Sequence, residues 1–142
     1  MEGEAIKAAE MANNQAVALL LVDRAQEAIE VLDGTAETFE AAGETRLAAQ
    51  AHGNMGQAFV EAGQSDQARL QFQRAIELFQ QLGDKENLQH TAKALSQLQL
   101  NQGDAVEALF TMQRGLEQGS RLSMRDRLLR WLLRLPSRFL SG

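Results

Sequence analysis

The sequence predicts an all-α solenoid of three helical hairpins followed by a C-terminal capping helix. Three observations carry this reading. The chain repeats itself every 40 residues, apolar and small residues within each repeat fall at steps of 3 and 4, and no stretch alternates with period 2 over a strand length. The repeat is visible by eye: QRAIE at 73–77 returns as QRGLE at 113–117, and ETFEAAGE at 37–44 returns as ELFQQLGD at 77–84. Cut at that period, an array over residues 1–120 divides into repeats of about 9–48, 49–88 and 89–120, and residues 121–142 form a separate basic segment.

The second repeat shows the pattern most fully. His52, Met55, Gly56 and Phe59 stripe one helix, and Ala68, Phe72, Ala75, Ile76 and Phe79 stripe the next. Between them lies Ala62-Gly63-Gln64-Ser65-Asp66, where Gly63 suits a left-handed helix end and Ser65 suits an N-cap. In the first repeat Asp23-x-x-Gln26 reads as a capping box. In the third, Gly103 ends a helix and Asp104-x-x-Glu107 starts another. Small residues recur at fixed places, Ala16, Gly56 and Ser96 on the first helices and Ala28, Ala68 and Ala108 on the second. Large ones stand opposite them: Leu19 and Phe59, then Leu32, Phe72 and Met112. This alternation predicts close antiparallel packing within and between hairpins.

Composition agrees with a folded domain. Of 142 residues, 44% are hydrophobic and 23% charged, near the globular average. The absence of cysteine excludes disulfides, thiolate nucleophiles and Cys-ligated metal. The first ten residues lack a basic start and an apolar core, so they do not read as a signal peptide. The longest apolar run, Ala16–Val22, is far below the roughly 20 residues a bilayer requires. The expected setting is therefore cytoplasmic, with peripheral contact to a membrane left open. Net charge, −5 overall, divides unevenly. Residues 1–120 hold 8 Lys and Arg against 18 Asp and Glu, whereas residues 121–142 hold 6 Arg against Asp126 alone. An acidic body repels nucleic acid, and only the tail attracts anions.

These residues resemble the tetratricopeptide repeat. The family pattern of apolar, Gly and aromatic positions on one helix and Ala, aromatic and Ala on the next is met at Gly56, Phe59, Ala68, Phe72 and Ala75. The first repeat matches at Ala16, Leu19, Ala28 and Leu32 and departs at Thr35. The third matches at Leu95, Ala108 and Met112 and departs at Ser96, Gln99 and Gly115. The usual period of 34 is here 40, and the segment Gly53-Asn54-Met55-Gly56 is similar to the long form in kinesin light chains, polarity adaptors and bacterial peptide sensors. Six extra residues lengthen the helices by about 9 Å in total. The resemblance implies a right-handed superhelix whose first helices line a concave groove, and a non-enzymatic scaffold or adaptor that binds a protein or peptide there. It places Asn13, Asn14, Val17, Gly53, Asn54, Gln57, Lys93, Gln97 and Asn101 on the lining, with Leu21, Glu61 and Ala94 beside them. Asn14 and Asn54 share one repeat position, which in the resembled proteins grips a peptide backbone. A carboxamide both donates and accepts, so it reads main chain irrespective of side chain. A solvated helix face accounts for the same residues equally simply.

The tail has its own pattern. Ser123-x-x-Asp126 opens a predicted helix over 123–135, and Pro136 stops it. Arg127, Arg130, Arg134 and Arg138 share one face, and Leu128, Leu132, Leu135 and Phe139 the other, flanked by Trp131. Leu128, Leu132 and Leu135 stand 40 residues after Leu88, Ala92 and Leu95, which fits a cap on the last hairpin. A basic amphipathic helix with Trp131 also suits an anionic membrane surface, as a peripheral tethering factor would use, or self-association into a homo-oligomer. No cofactor, metal or catalytic group is expected. His52 falls at a packing position and His90 at a polar one, 38 residues apart, and no phosphate-binding loop is present. Glu40 and Glu44 read as a solvated surface pair.

Overall fold

The computed structural model describes residues 1–117 of the 142. The readings placed on the tail, including the capping helix, Arg127, Arg130, Arg134, Arg138 and Trp131, lie outside the described residues. Seven helices follow one another: α1 (Glu2–Leu21), α2 (Ala25–Leu32), α3 (Thr35–Ala41), α4 (Thr45–Glu61), α5 (Ser65–Leu82), α6 (Lys85–Asn101) and α7 (Ala105–Glu117). No strand occurs among the described residues. They pair as three hairpins, α1 with α2–α3, α4 with α5, and α6 with α7, and each hairpin stacks on the next through α2–α4, α3–α4 and α5–α6 packing. The first helices α1, α4 and α6 form one layer and the second helices the other. This is a helical-repeat solenoid.

The turns recur with half the repeat. Asp23, Gly43, Gly63, Gly83 and Gly103 stand twenty apart and all adopt the left-handed conformation, with φ between 61° and 87°. At each, the following amide reaches back to the carbonyl five residues earlier, as in Glu44 N–H to Phe39 O and Gln64 N–H to Phe59 O at 2.9 and 2.8 Å. The turn residue bonds the carbonyl three back, as in Gly63 N–H to Val60 O at 3.1 Å. This is the Schellman arrangement, which satisfies carbonyls the helix end leaves bare. Gly63 and Gly103 thus end helices as expected.

The expected N-caps are made differently. Asp23 occupies the left-handed turn, so it is not an N-cap, and Arg24 takes that place without a side-chain cap bond. Ser65 is the first residue inside α5, and its N-cap, Gln64, makes no side-chain bond. Asp104 and Glu107 turn to Arg69 of α5 instead of to the α7 amides, at 2.8 and 3.5 Å. The one side-chain N-cap among the helices with a resolved cap is Asp84, whose carboxylate accepts from the Asn87 amide at 3.1 Å and side chain at 2.8 Å. The second helix of the first repeat is broken in two: Asp33 ends α2, and Gly34, at φ 74°, precedes α3. Asp33-Gly34 replaces the helical pair Gln73-Arg74 of the next repeat, immediately before the departure at Thr35.

The interior is built from the repeated small and large residues. Ala16, Ala28, Ala68 and Ala108 are buried, as are Leu32, Phe39, Phe72, Ile76, Phe79, Leu88 and Leu95. Gly56 shows why one position must be small. A Cβ there would stand 2.7 Å from the Phe72 ring, which packs directly on the α4 backbone. Met112, expected opposite Ser96 in the same role, is instead 46% exposed on α7.

Polar clamps cross between hairpins. Glu40 accepts from Arg74 at 3.0 Å and faces the buried His52 ring at 3.3 Å, so it is an inter-hairpin acceptor and not a solvated partner of Glu44. His52 also meets Gln71 at 2.7 Å, in keeping with its packing role. Between the second and third hairpins, Arg69 bonds Gln102 and Asp104 at 2.6 and 2.8 Å, and Arg46 pairs with Asp84.

Candidate functional site

A cleft of about 500 Å³ opens between the first helices α4 and α6. Its position follows from packing. The α6 helix docks on α5, not on α4, so α4 and α6 diverge and leave the α5 surface between them. Phe72 and Phe79 of α5 supply an apolar base. Gln50, Gly53, Asn54 and Gln57 line the α4 side. Asn87, His90, Thr91 and Ala94 line the α6 side, and Asn13 and Val17 of α1 close one end.

The chemistry of this lining is uniform. It contains no Asp, Glu, Lys or Arg. Its polar groups are amides, one hydroxyl and one imidazole. Several are held in place by their own bonds. Asn54 Nδ2 donates to Asn13 Oδ1 at 2.8 Å, Gln57 Nε2 donates to Glu61 at 3.0 Å, and Thr91 Oγ1 donates to the Asn87 carbonyl at 2.7 Å. Each bond uses one group and fixes the side chain, leaving the amide oxygens of Asn54 and Gln57 free to accept. Gly53 has open space where a Cβ would stand, so a ligand backbone can approach α4 closely. Such a surface reads a polypeptide main chain by hydrogen bonds and offers apolar contact at its base.

The predicted lining is partly gathered. Asn13, Val17, Gly53, Asn54 and Gln57 come together in the cleft, and Ala94 stands on its far wall. Asn14, paired with Asn54 by repeat position, is exposed on α1, and the bonded partner of Asn54 is Asn13, one residue earlier. Gln97 and Asn101 bond each other at 3.1 Å on α6 beyond the cleft. Lys93 borders a different groove, between α6 and α7. Gln50, Asn87, His90 and Thr91 are cleft residues that repeat spacing did not single out. They lie on the sides of α4 and α6 that face each other, and the crossing of two helices is a tertiary property. A more open depression of about 560 Å³ lies in the second layer between α5 and α7, where Gln99, 3% exposed, keeps its Oε1 without a partner among the described residues.

A family model for the tetratricopeptide repeat matches residues 7–81, more than half of the chain. The chain belongs to the tetratricopeptide-repeat family. The match spans the first two hairpins, and the α6–α7 turn at Gly103 repeats their turn hydrogen bonds beyond it. Tetratricopeptide repeats serve as modules of protein–protein interaction, and this one presents its amide cleft on the layer of first helices. No curated protein matches the chain. Among the described residues no group of His, Asp or Glu is arranged to hold a metal, and no helix is long and apolar enough to cross a membrane.

Proposed function

We propose that this tetratricopeptide-repeat protein is an adaptor that captures a peptide segment of a partner protein in the cleft between α4 and α6. The observation that carries the reading is the neutral lining: pre-bonded carboxamides over a phenylalanine base, with open backbone at Gly53. A lining without fixed charges selects by main-chain hydrogen bonds and apolar fit, so the segment contacting it is itself uncharged over the cleft. Pre-organisation lowers the ordering cost of binding. The resemblance of Gly53-Asn54-Met55-Gly56 to long-repeat proteins supports the same reading, since in those proteins the matching Asn meets a ligand backbone.

Selection from a displayed random-peptide library against the full chain tests this. Peptides recovered should lose about tenfold in affinity, about 1.4 kcal/mol, against Asn54→Ala combined with Gln57→Ala. They should bind Leu70→Glu, altered on the exposed outer side of α5, as they bind the parent. Peptides that bind both variants equally would place recognition elsewhere.

A further inference from the structure

The depression between α5 and α7 is built on a residue that breaks the repeat. Leu19, Phe59 and Gln99 share one repeat position, and only the third is polar. Gln99 is nevertheless 3% exposed. Its Nε2 donates to Glu107 at a long 3.4 Å, and its Oε1 meets no donor among the described residues. A buried carbonyl oxygen without a donor is costly, whereas a leucine or phenylalanine would fill the place without that cost. Packing therefore does not account for this carboxamide. Gln99 lines the depression of about 560 Å³ instead.

The surroundings indicate which donor fits. Asp104 and Glu107 hold two negative charges against the single positive charge of Arg69, so this end of the depression stays net negative. Phe110 stands three residues after Glu107 on the same face of α7 and is 67% exposed. Its ring is open for stacking and can swing to admit a side chain without opening the core. The first junction closes the equivalent place with the bond from Arg74 to Glu40 at 3.0 Å. Forty residues on stand Arg114 and Gln80, both on the lining, and the neutral Gln80 supplies no carboxylate to draw α5 and α7 together.

We propose that this depression binds an arginine side chain of a partner polypeptide, whose guanidinium donates to Gln99 Oε1 and to Glu107 while its face rests on Phe110. A guanidinium carries five N–H donors in one plane and no acceptor, which suits two neighbouring oxygen acceptors beside an aromatic ring. Lysine brings the same charge without the flat face. Residues 1–120, with 18 acids against 8 bases, draw a basic segment toward the site. The site lies in the layer of second helices, so it is separate from the amide cleft between α4 and α6 and does not depend on it.

Fluorescence anisotropy of fluorescein-labelled hexaarginine with the full chain, at salt high enough to screen distant charges, tests this. The parent should bind hexaarginine about tenfold more tightly than hexalysine of the same charge. Gln99→Leu and Phe110→Ala leave the net charge untouched, and each should lose about tenfold for hexaarginine. Glu107→Gln should lose about as much, whereas Glu30→Gln, which removes the same charge from the exposed side of α2, should leave binding nearly unchanged. Far-ultraviolet circular dichroism confirms that each variant is folded, and the exposed Phe110 can be altered even where a change at Gln99 disturbs packing. Asn54→Ala with Gln57→Ala should leave hexaarginine binding intact, so the two sites are read separately. Equal affinity for hexalysine, or binding indifferent to Gln99→Leu and Phe110→Ala, reduces the attraction to the general charge of an acidic body and overturns the proposal. No saturable binding by the full chain, as when its own arginines between 121 and 142 already fill the site, overturns it as well.

Discussion

Asp23 occupies a turn that four glycines occupy elsewhere in the array, at φ 61°. The left-handed conformation costs an L-residue about 1–2 kcal/mol, and glycine's extra unfolded-state entropy offsets about 0.5–1 of that. Asp23→Gly should therefore stabilise the protein by about 0.5–1 kcal/mol, measured as a higher urea midpoint. Gly56 works the other way. A methyl at 2.7 Å from the enclosed Phe72 ring costs about 1–3 kcal/mol by overpacking, while better helix propensity returns about 1. Gly56→Ala should lower stability by about 1 kcal/mol in the same assay. Asp84 adds a pH dependence. Hydrogen bonds from the Asn87 side chain and amide, then the Arg46 guanidinium, hold its carboxyl below the ordinary aspartate value. A lowered folded value means the contribution is complete at neutral pH and is lost as pH falls through that lowered value. Asp84→Ala should cost about 1 kcal/mol at pH 7, with the gap to the parent closing in acid below the ordinary aspartate range.

At the scale of elements, the first repeat is the weak one. Its second helix is split into α2 of 8 residues and α3 of 7, whereas α5 runs unbroken for 18. Helices this short are marginal alone and depend on tertiary packing. They hold through Leu32, Phe39 and the Glu40 clamp to His52 and Arg74. Hydrogen exchange followed by mass spectrometry should show α2 and the Asp33–Gly34 break exchanging well before α4 and α5. Equal protection across the four would mean the break carries no energetic penalty.

Over the described residues as a whole, stability passes from hairpin to hairpin, because each packs chiefly on its neighbours. Phe39, fully buried at the junction of the first hairpin with the second, is the natural place to uncouple them. Phe39→Ala should remove about 3–5 kcal/mol and turn a single urea transition into two, the first hairpin melting before the rest. The same stacking creates the cleft, since helices that pack on the layer beneath must diverge in their own layer.

The 40-residue period, the stripes at steps of 3 and 4 and the paired small residues determined by themselves that the chain is a helical-repeat array. The family resemblance these residues carry implied a shared lining, and Asn13, Val17, Gly53, Asn54 and Gln57 of it come together in the cleft. The period and the stripes are local or periodic properties, and periodicity survives without knowledge of contacts. Only the tertiary structure decided that Asn13, not Asn14, bonds Asn54, that His90 and Thr91 face them, that Lys93 belongs to another groove, and that Glu40 joins two hairpins. The reason is geometric. A helix turns 100° per residue, so one position of difference, or a small change in crossing angle, moves a side chain to another neighbour while leaving the repeat pattern untouched.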